Sequence, residues 1–154
     1  MFYFIHAIAG MLVGGYFNSI TIAIILGIVG HFLLDLIPHW DGFYDKEAFE
    51  KRRHLKITKN LVMLQIVDAA LTILSIIYIL KNVHYNKTIM LIGAFAGLLP
   101  DLIKAGYLTP LRNNKYFDSY LHFHSTIQKE PGWKIGILIE LAVLAIILWA
   151  FKII

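Results

Sequence analysis

Long apolar runs are the feature of this sequence that most restricts how the chain can fold. They cover roughly residues 2–16, 20–37, 61–80, 88–107 and 133–154, and polar segments separate them. About 20 apolar residues are needed for a helix to cross a bilayer, so the first run is short for a full span. The sequence predicts an all-α polytopic membrane helix bundle with about five transmembrane helices and short interfacial helices in the loops. Residues 1–154 are expected to form one domain.

The composition agrees with this class and removes several others. Hydrophobic residues make up 58% of the chain and charged residues 16%, whereas a soluble domain carries roughly 25% charged residues. The chain has no cysteine, which excludes disulfides, thiolate metal sites and thiol nucleophiles. A net charge of +4 is too small to indicate a nucleic-acid partner. The motifs of serine hydrolases, nucleotide-binding loops and zincins are absent.

The second apolar run ends in residues that commonly bind metals. His31 and Asp35 are four apart and share one face of a helix. Pro38 lacks an N–H and favours the end of the helix, which releases His39 and Asp41 into a turn. Ionisable groups at membrane depth are costly, so their presence indicates a functional site.

The other apolar runs also carry ionisable side chains at matching depths. If the five runs alternate in direction, His6, His31, Asp68, Asp101 and Glu140 lie roughly 8 to 12 Å below one surface, at about 1.5 Å per residue. Structural polar residues scattered at random would not be expected to share depth and side. The pattern favours one polar cavity, with hydrogen bonding between helices as the alternative.

Histidines interleaved with acidic residues favour a divalent metal ion. Several carboxylates in a low dielectric repel one another and need protons or cations. We expect one to three ions, with Zn²⁺ the first candidate and Mn²⁺ the second. Asp68 and Glu140 are assigned catalytic roles, or the orientation of the histidines. The predicted metal ligands are His6, His31, Asp35, His39, Asp41, Asp101, His122 and His124.

The sequence leaves open which of two histidines in the last polar segment binds the metal. His122 and His124 are two residues apart, about 200° around a helix, so a helical segment would turn only one of them toward a shared metal. Asp118 lies four residues before His122 and shares its helix face. The pattern slightly favours His122.

The distribution of basic residues predicts which side of the membrane holds the site. Eleven lysines and arginines fall on the side that holds the N-terminus and the segments near 38–60 and 104–134, and only Lys81, Lys87 and Lys152 fall on the other. By the positive-inside rule the first side is cytoplasmic. The polar site is therefore predicted at the cytoplasmic face.

Short motifs resemble the membrane-bound metal-dependent hydrolase family, the YdjM-like proteins, and more distantly the zinc-dependent phospholipase C and single-strand nuclease superfamily. They are the His6-Ala7-Ile8-Ala9-Gly10 segment, the His31-x-x-x-Asp35 helix, the Asp35-x-x-Pro38-His39-x-Asp41 turn, the Leu99-Pro100-Asp101 step and His122-Phe123-His124-Ser125. The family's Pro-Asp-x-Asp-His motif is rearranged here, and its longer histidine motif is shortened to His-x-His-Ser.

The resemblance implies hydrolysis of a phosphoester, with His31 and Asp35 as metal ligands. Because the chain is embedded in a membrane, a lipid or lipid-linked phosphate is the expected substrate and the lipid bilayer the expected partner. Lys104, Arg112, Arg52 and Arg53 are predicted to hold the phosphate at the rim.

Two other classes of function are compatible with the sequence. A small proton or metal-ion transporter or channel would also bury ionisable residues, but its polar path should continue across the membrane. The far halves of the runs offer little beyond hydroxyls. A non-catalytic membrane assembly protein would tolerate the loss of His31 and Asp35.

Overall fold

The computed structural model describes residues 1–40, 42 and 57–152, apart from the side chains of Leu108 and Arg112. In this part of the chain the protein is all α-helical, as predicted. Two short 3-10 helices, Ala105–Leu108 and Pro110–Asn113, join the fourth and fifth helices. The α-helices are α1 Tyr3–Phe17, α2 Ile20–Asp35, α3 Lys59–Asn82, α4 Lys87–Lys104, α5 Lys115–Ile127 and α6 Trp133–Ala150.

Three segments of the described chain are long and apolar enough to cross a membrane. They are Lys59–Asn82, Lys87–Tyr107 and Trp133–Ala150. The helices α1 and α2 are apolar as well but have 15 and 16 residues, or roughly 22 to 24 Å of helix against a hydrocarbon core of about 30 Å. The five apolar runs are thus all helical, and three of them reach the length of a span.

The outer faces of α3 and α6 are covered with large apolar side chains. Ile66 and Leu74 on α3 are 58% and 61% exposed, and Leu138 on α6 is 68% exposed. A continuous apolar surface of this kind is unusual on a soluble monomer. It is the surface expected of helices that face lipid.

Glycines allow α1 and α4 to pack with their backbones in contact. A Cβ atom at Gly10 or Gly93 would collide with the carbonyl oxygen of the other residue. At Gly97 a Cβ atom would lie 2.5 Å from the carbonyl oxygen of His6. Small residues permit this kind of close approach between membrane helices. We call this backbone contact between α1 and α4, at Gly10, Gly93 and Gly97, the seam. It fixes His6 on α1 next to the C-terminal half of α4.

The rest of the core is apolar. It lies on the opposite side of the seam from the C-terminal ends of α2 and α4. Met11, Leu12 and Met90 are fully buried there, and Ile79 of α3 is 1% exposed. Side chains of α6 such as Leu148 pack against this core. Among the described residues, the buried ionisable side chains thus lie at the end of the bundle where α1 begins and where α2 and α4 end.

Candidate metal centre

Four buried side chains meet at that end of the bundle: His31, Asp35, Asp101 and His124, called here the four-residue cluster. Each offers one ligand atom, and these atoms all lie within 4.8 Å of one another. Helix α2 supplies His31 and Asp35 from its last turns, α4 supplies Asp101, and α5 supplies His124. None of the four is more than 4% exposed. The cluster therefore joins three helices that are distant in sequence.

The spacing within the four-residue cluster fits a single metal ion. The Nε2 atoms of His31 and His124 are 3.1 Å apart. Asp35 Oδ2 lies 3.3 Å from His31 Nε2 and 3.5 Å from His124 Nε2. Asp101 Oδ1 lies 3.9 Å and 3.7 Å from the same two nitrogens. A tetrahedral zinc site with bonds of about 2.0 Å has edges of about 3.3 Å. The distances of 3.1 to 3.9 Å in the cluster lie on both sides of this value, so the histidines and Asp101 would have to shift by a few tenths of an ångström.

Hydrogen bonding fixes the tautomer of His31. Its Nδ1 lies 2.8 Å from the carbonyl oxygen of Gly97, and a carbonyl can only accept, so Nδ1 carries the proton. In a neutral imidazole the lone pair is then on Nε2, which faces the cluster. A metal-binding histidine commonly donates its other N–H to a carbonyl in this way, which fixes the orientation of its ring.

His124 is also suited to binding a metal. Burial lowers its pKa to about 4, so the imidazole is neutral at pH 7 and keeps one lone pair. The tautomer with its proton on Nδ1 would present that lone pair on Nε2, the nitrogen that faces His31. The Nδ1 of His124 and the Oδ1 of Asp101 are buried without a hydrogen-bond partner. Buried polar atoms of this kind are rare in folded proteins. A cation bound between these residues would interact with both carboxylates, which Lys104 and the amino group of Met1 already contact.

The second oxygen of Asp35 faces a different set of groups. His6 Nε2 lies 3.1 Å from Asp35 Oδ1, and His39 Nε2 lies 3.8 Å away. The nitrogen of Met1 lies 3.4 Å from the same oxygen. The rings of His6 and His31 stack with their centroids 4.0 Å apart. His6 and His39, both predicted ligands, thus adjoin the cluster through Asp35.

A tyrosine ties α5 to α4 beside the cluster. The hydroxyl of Tyr120 donates to the carbonyl oxygen of Pro100 at 2.5 Å. Burial raises the pKa of Tyr120 to about 12, so the hydroxyl stays protonated and remains a donor. Since Pro100 precedes Asp101 and Tyr120 lies one turn before His124, this bond holds the two ligands at a fixed separation.

A cavity of about 520 Å³ opens onto one side of the cluster. Its polar lining residues include Asp101, Lys104 and His124, and further ones are Gln65, Asp68, Ser125 and Gln128. The rest of the lining is largely apolar and includes Phe2, Trp40 and the α3 residues Leu61, Val62, Leu64, Ile66 and Ala69. Apolar walls with a few convergent polar groups are typical of ligand sites.

Asp68 lies in the wall of this cavity, but its carboxylate is hydrogen-bonded to the N-terminus of α1. Its carboxylate accepts hydrogen bonds from the backbone N–H groups of Tyr3 at 2.7 Å and Phe4 at 3.2 Å. It therefore caps the N-terminus of α1, where a carboxylate also meets the favourable end of the helix dipole. The catalytic role predicted for Asp68 stays a prediction.

Replacing Asp68 with alanine is expected to destabilise the fold by about 2 kcal/mol, because two N–H groups lose their acceptor. Asp68→Asn keeps one acceptor oxygen and should cost less. The free energy of unfolding in detergent measures both effects. Loss of catalysis in Asp68→Ala without a loss of stability would instead place Asp68 in the chemistry.

Glu140 contacts the turn after α2. Its Oε1 accepts a hydrogen bond from the backbone N–H of Trp40 at 3.0 Å, and the residue is 1% exposed. A Cβ atom at Gly136, one turn earlier on α6, would lie 2.6 Å from the same nitrogen. Glu140 thus docks α6 against the segment that carries His39. Its predicted catalytic role also stays a prediction.

The preference for His122 over His124 is wrong. Segment 115–127 is helical, so only one of the two can face the cluster, and that residue is His124, which is 1% exposed. His122 is exposed. The shared face of Asp118 and His122 is therefore not the ligand face. Of the other predicted residues, Asp41, Arg52 and Arg53 and the side chain of Arg112 lie outside the described residues.

Three positioning groups escaped the sequence analysis. Gln128 is 7% exposed and donates to Asp35 Oδ2 at 3.1 Å. The hydroxyl of Tyr120 and the carbonyl of Gly97 fix His124 and His31 as described above. The sequence pattern Gly93-xxx-Gly97 indicates close helix packing, so it could have drawn attention to Gly97. Gln128 has no comparable sign, since a single glutamine after a helix is common.

No protein-family model, no curated protein and no solved structure matches this chain. The chemistry of the site therefore has to be argued from its own residues.

Proposed function

We propose that this protein is an integral membrane metal-dependent hydrolase that acts on a phosphoester of a lipid or lipid-linked substrate. The observation that carries the proposal is the four-residue cluster, with two imidazoles and two carboxylates at near-tetrahedral spacing. The short motifs that contain these residues resemble those of the membrane-bound metal-dependent hydrolases, and this resemblance is the reason for proposing hydrolysis of a phosphoester.

His31, Asp35, Asp101 and His124 would hold the ion. Two imidazoles and two carboxylates suit Zn²⁺, with Mn²⁺ as the alternative. A divalent cation supplies Lewis acidity toward a phosphoryl oxygen and toward water. The carbonyl of Gly97 keeps His31 in the binding tautomer, and Gln128 orients Asp35 through its hydrogen bond. These contacts arrange the ligands before the ion arrives.

The cavity beside the cluster supports an amphiphilic substrate. The residues of its lining nearest the cluster, Asp101, Lys104 and His124, would receive the phosphoester, and its apolar residues would receive the adjacent hydrocarbon. The ammonium of Lys104 is a cation of this lining that can attract a phosphate. Exclusion of water by the apolar lining strengthens this attraction.

We further propose that all five apolar helices lie in the membrane, with the site at the cytoplasmic face. The exposed apolar faces of α2, α3 and α6 support the membrane setting, and the shorter helices α1 and α2 would pack against the longer α4. The excess of lysine and arginine on the side of the site supports the orientation.

Hydrolysis is favoured over transport by the composition of the core. Beyond the cluster, the buried residues Met11, Leu12, Ile79 and Met90 leave the described bundle interior apolar. A proton or ion path would need polar groups there. A flux assay in proteoliposomes tests this alternative, and the hydrolase should carry no ion.

The direct test is hydrolysis of a panel of lipid phosphoesters by the purified, zinc- or manganese-loaded protein. We expect release of phosphate or headgroup from long-chain substrates, at a catalytic efficiency at least tenfold above that of water-soluble analogues. Asp101→Asn should abolish this activity because it removes a ligand charge. Equal, low activity of wild type and Asp101→Asn on every phosphoester tested would contradict the proposal.

A further inference from the structure

Lys104 is held by the carboxylate that also belongs to the metal centre. Its Nζ lies 2.5 Å from Asp101 Oδ1. The contact has the distance of an ion pair but not the geometry of a hydrogen bond, since the same oxygen has no hydrogen-bond partner. That oxygen also faces His31 and His124 at 3.9 and 3.7 Å. The same oxygen of Asp101 therefore contacts the ammonium of Lys104 and faces the two imidazoles of the cluster.

We propose that Lys104 exchanges between Asp101 and the phosphoryl group of the substrate, so that it weakens metal binding while it strengthens anion binding. The inference rests on the proposed function and adds a specific role for one residue. It makes Lys104 the determinant of selectivity for an anionic substrate.

The competition between the two cations follows from their charges. An ion bound by Asp101 repels an ammonium that contacts the same carboxylate, and the repulsion is strong in a buried setting. Asp101 is almost fully buried, with a side chain 3% exposed. Removing the ammonium would leave the whole charge of Asp101 for the metal. Lys104 therefore lowers the affinity of the site for a divalent cation.

The position of Lys104 allows it to change partners. It is the last residue of α4, one turn beyond Asp101, and its side chain is 30% exposed. It lines the same cavity as Asp101 and His124. A lysine has a long, flexible stem and a compact charge, so a modest rotation would carry its ammonium from Asp101 to an anion in the cavity.

The experiment compares Lys104→Gln with the wild type in two binding measurements. Zn²⁺ affinity is measured by competition with a chromophoric chelator, and inorganic phosphate affinity by titration of the zinc-loaded protein. We expect Lys104→Gln to raise the Zn²⁺ affinity at least tenfold and to lower the phosphate affinity at least tenfold. Lys104→Arg keeps the positive charge and should therefore change both affinities less than Lys104→Gln does.

A matched control removes a charge from the other end of the same helix. Lys87→Gln lowers the net charge equally, at an exposed residue at the start of α4, and should change neither affinity. Unchanged Zn²⁺ affinity in Lys104→Gln would overturn the inference. Tighter Zn²⁺ with unchanged phosphate affinity would also overturn it, because Lys104 would then only neutralise Asp101. Absence of zinc binding in the wild type would instead remove the proposed function itself, and this inference with it.

Discussion

Substitution of His124 by alanine should reduce the affinity for Zn²⁺ at least a hundredfold. The imidazole supplies one of four ligand atoms, and its Nε2 lies within 3.1 to 3.7 Å of the others for which distances are given above. Loss of a direct ligand should exceed the tenfold to hundredfold losses typical of residues that only orient ligands. Chelator competition with the purified protein measures the change.

The chain provides a close control for this prediction. His122 lies on the same helix, two residues away, but it is exposed and on a different face. Alanine at either position has the same helix propensity and removes the same side chain. His122→Ala should therefore bind Zn²⁺ as the wild type does. Equal losses in the two variants would show that the two substitutions act through α5 as a whole.

The substitution Gly93→Ala should destabilise the bundle at least as much as Asp68→Ala does. The new Cβ would collide with the carbonyl oxygen of Gly10, which belongs to a backbone and cannot rotate away. Helices α1 and α4 would have to separate, and the measured cost of such overpacking is typically about 1 to 3 kcal/mol, and occasionally more. We expect a loss of at least about 2 kcal/mol in the free energy of unfolding, measured by denaturant titration in detergent.

The same substitution at Gly30 separates packing from the effect of glycine itself. A Cβ at Gly30 would meet no atom within 4 Å, although the residue is also within a helix. Gly30→Ala should therefore be neutral, or stabilising by up to about 1 kcal/mol through helix propensity. Equal destabilisation by Gly93→Ala and Gly30→Ala would contradict the account of the seam. Because the seam also holds His6 beside α4, Gly93→Ala should weaken zinc binding too.

Hydropathy and helix periodicity were sufficient to predict the five apolar helices and to bring three of the four cluster residues together. The predicted apolar runs begin and end close to the observed helices, because a long apolar run has few alternatives to a helix. His31 and Asp35 could be paired from their spacing alone. Asp101 could be placed with them because α2 and α4 were predicted to end on the same side, and the structure places both ends beside the cluster.

The remaining parts of the site depend on contacts between elements. The rotation of α5 about its axis decides between His122 and His124, and no pattern in that short helix fixes this angle. Asp68 and Glu140 were predicted at the correct end of the bundle. Their depth along the helix could not reveal that each accepts a hydrogen bond from the backbone of another segment. Depth along a helix can be counted in the sequence, whereas the partner across an interface cannot.

The central claim is that the four-residue cluster holds one divalent metal ion. It is tested most directly by elemental analysis of the protein purified in mild detergent, without chelator and without a metal-affinity tag, alongside His31→Ala. The account predicts about one zinc or manganese per chain, and little or none in His31→Ala while the variant still inserts into the membrane. Metal-free wild type, even after incubation with zinc and manganese, or equal metal content in the two proteins, would contradict it.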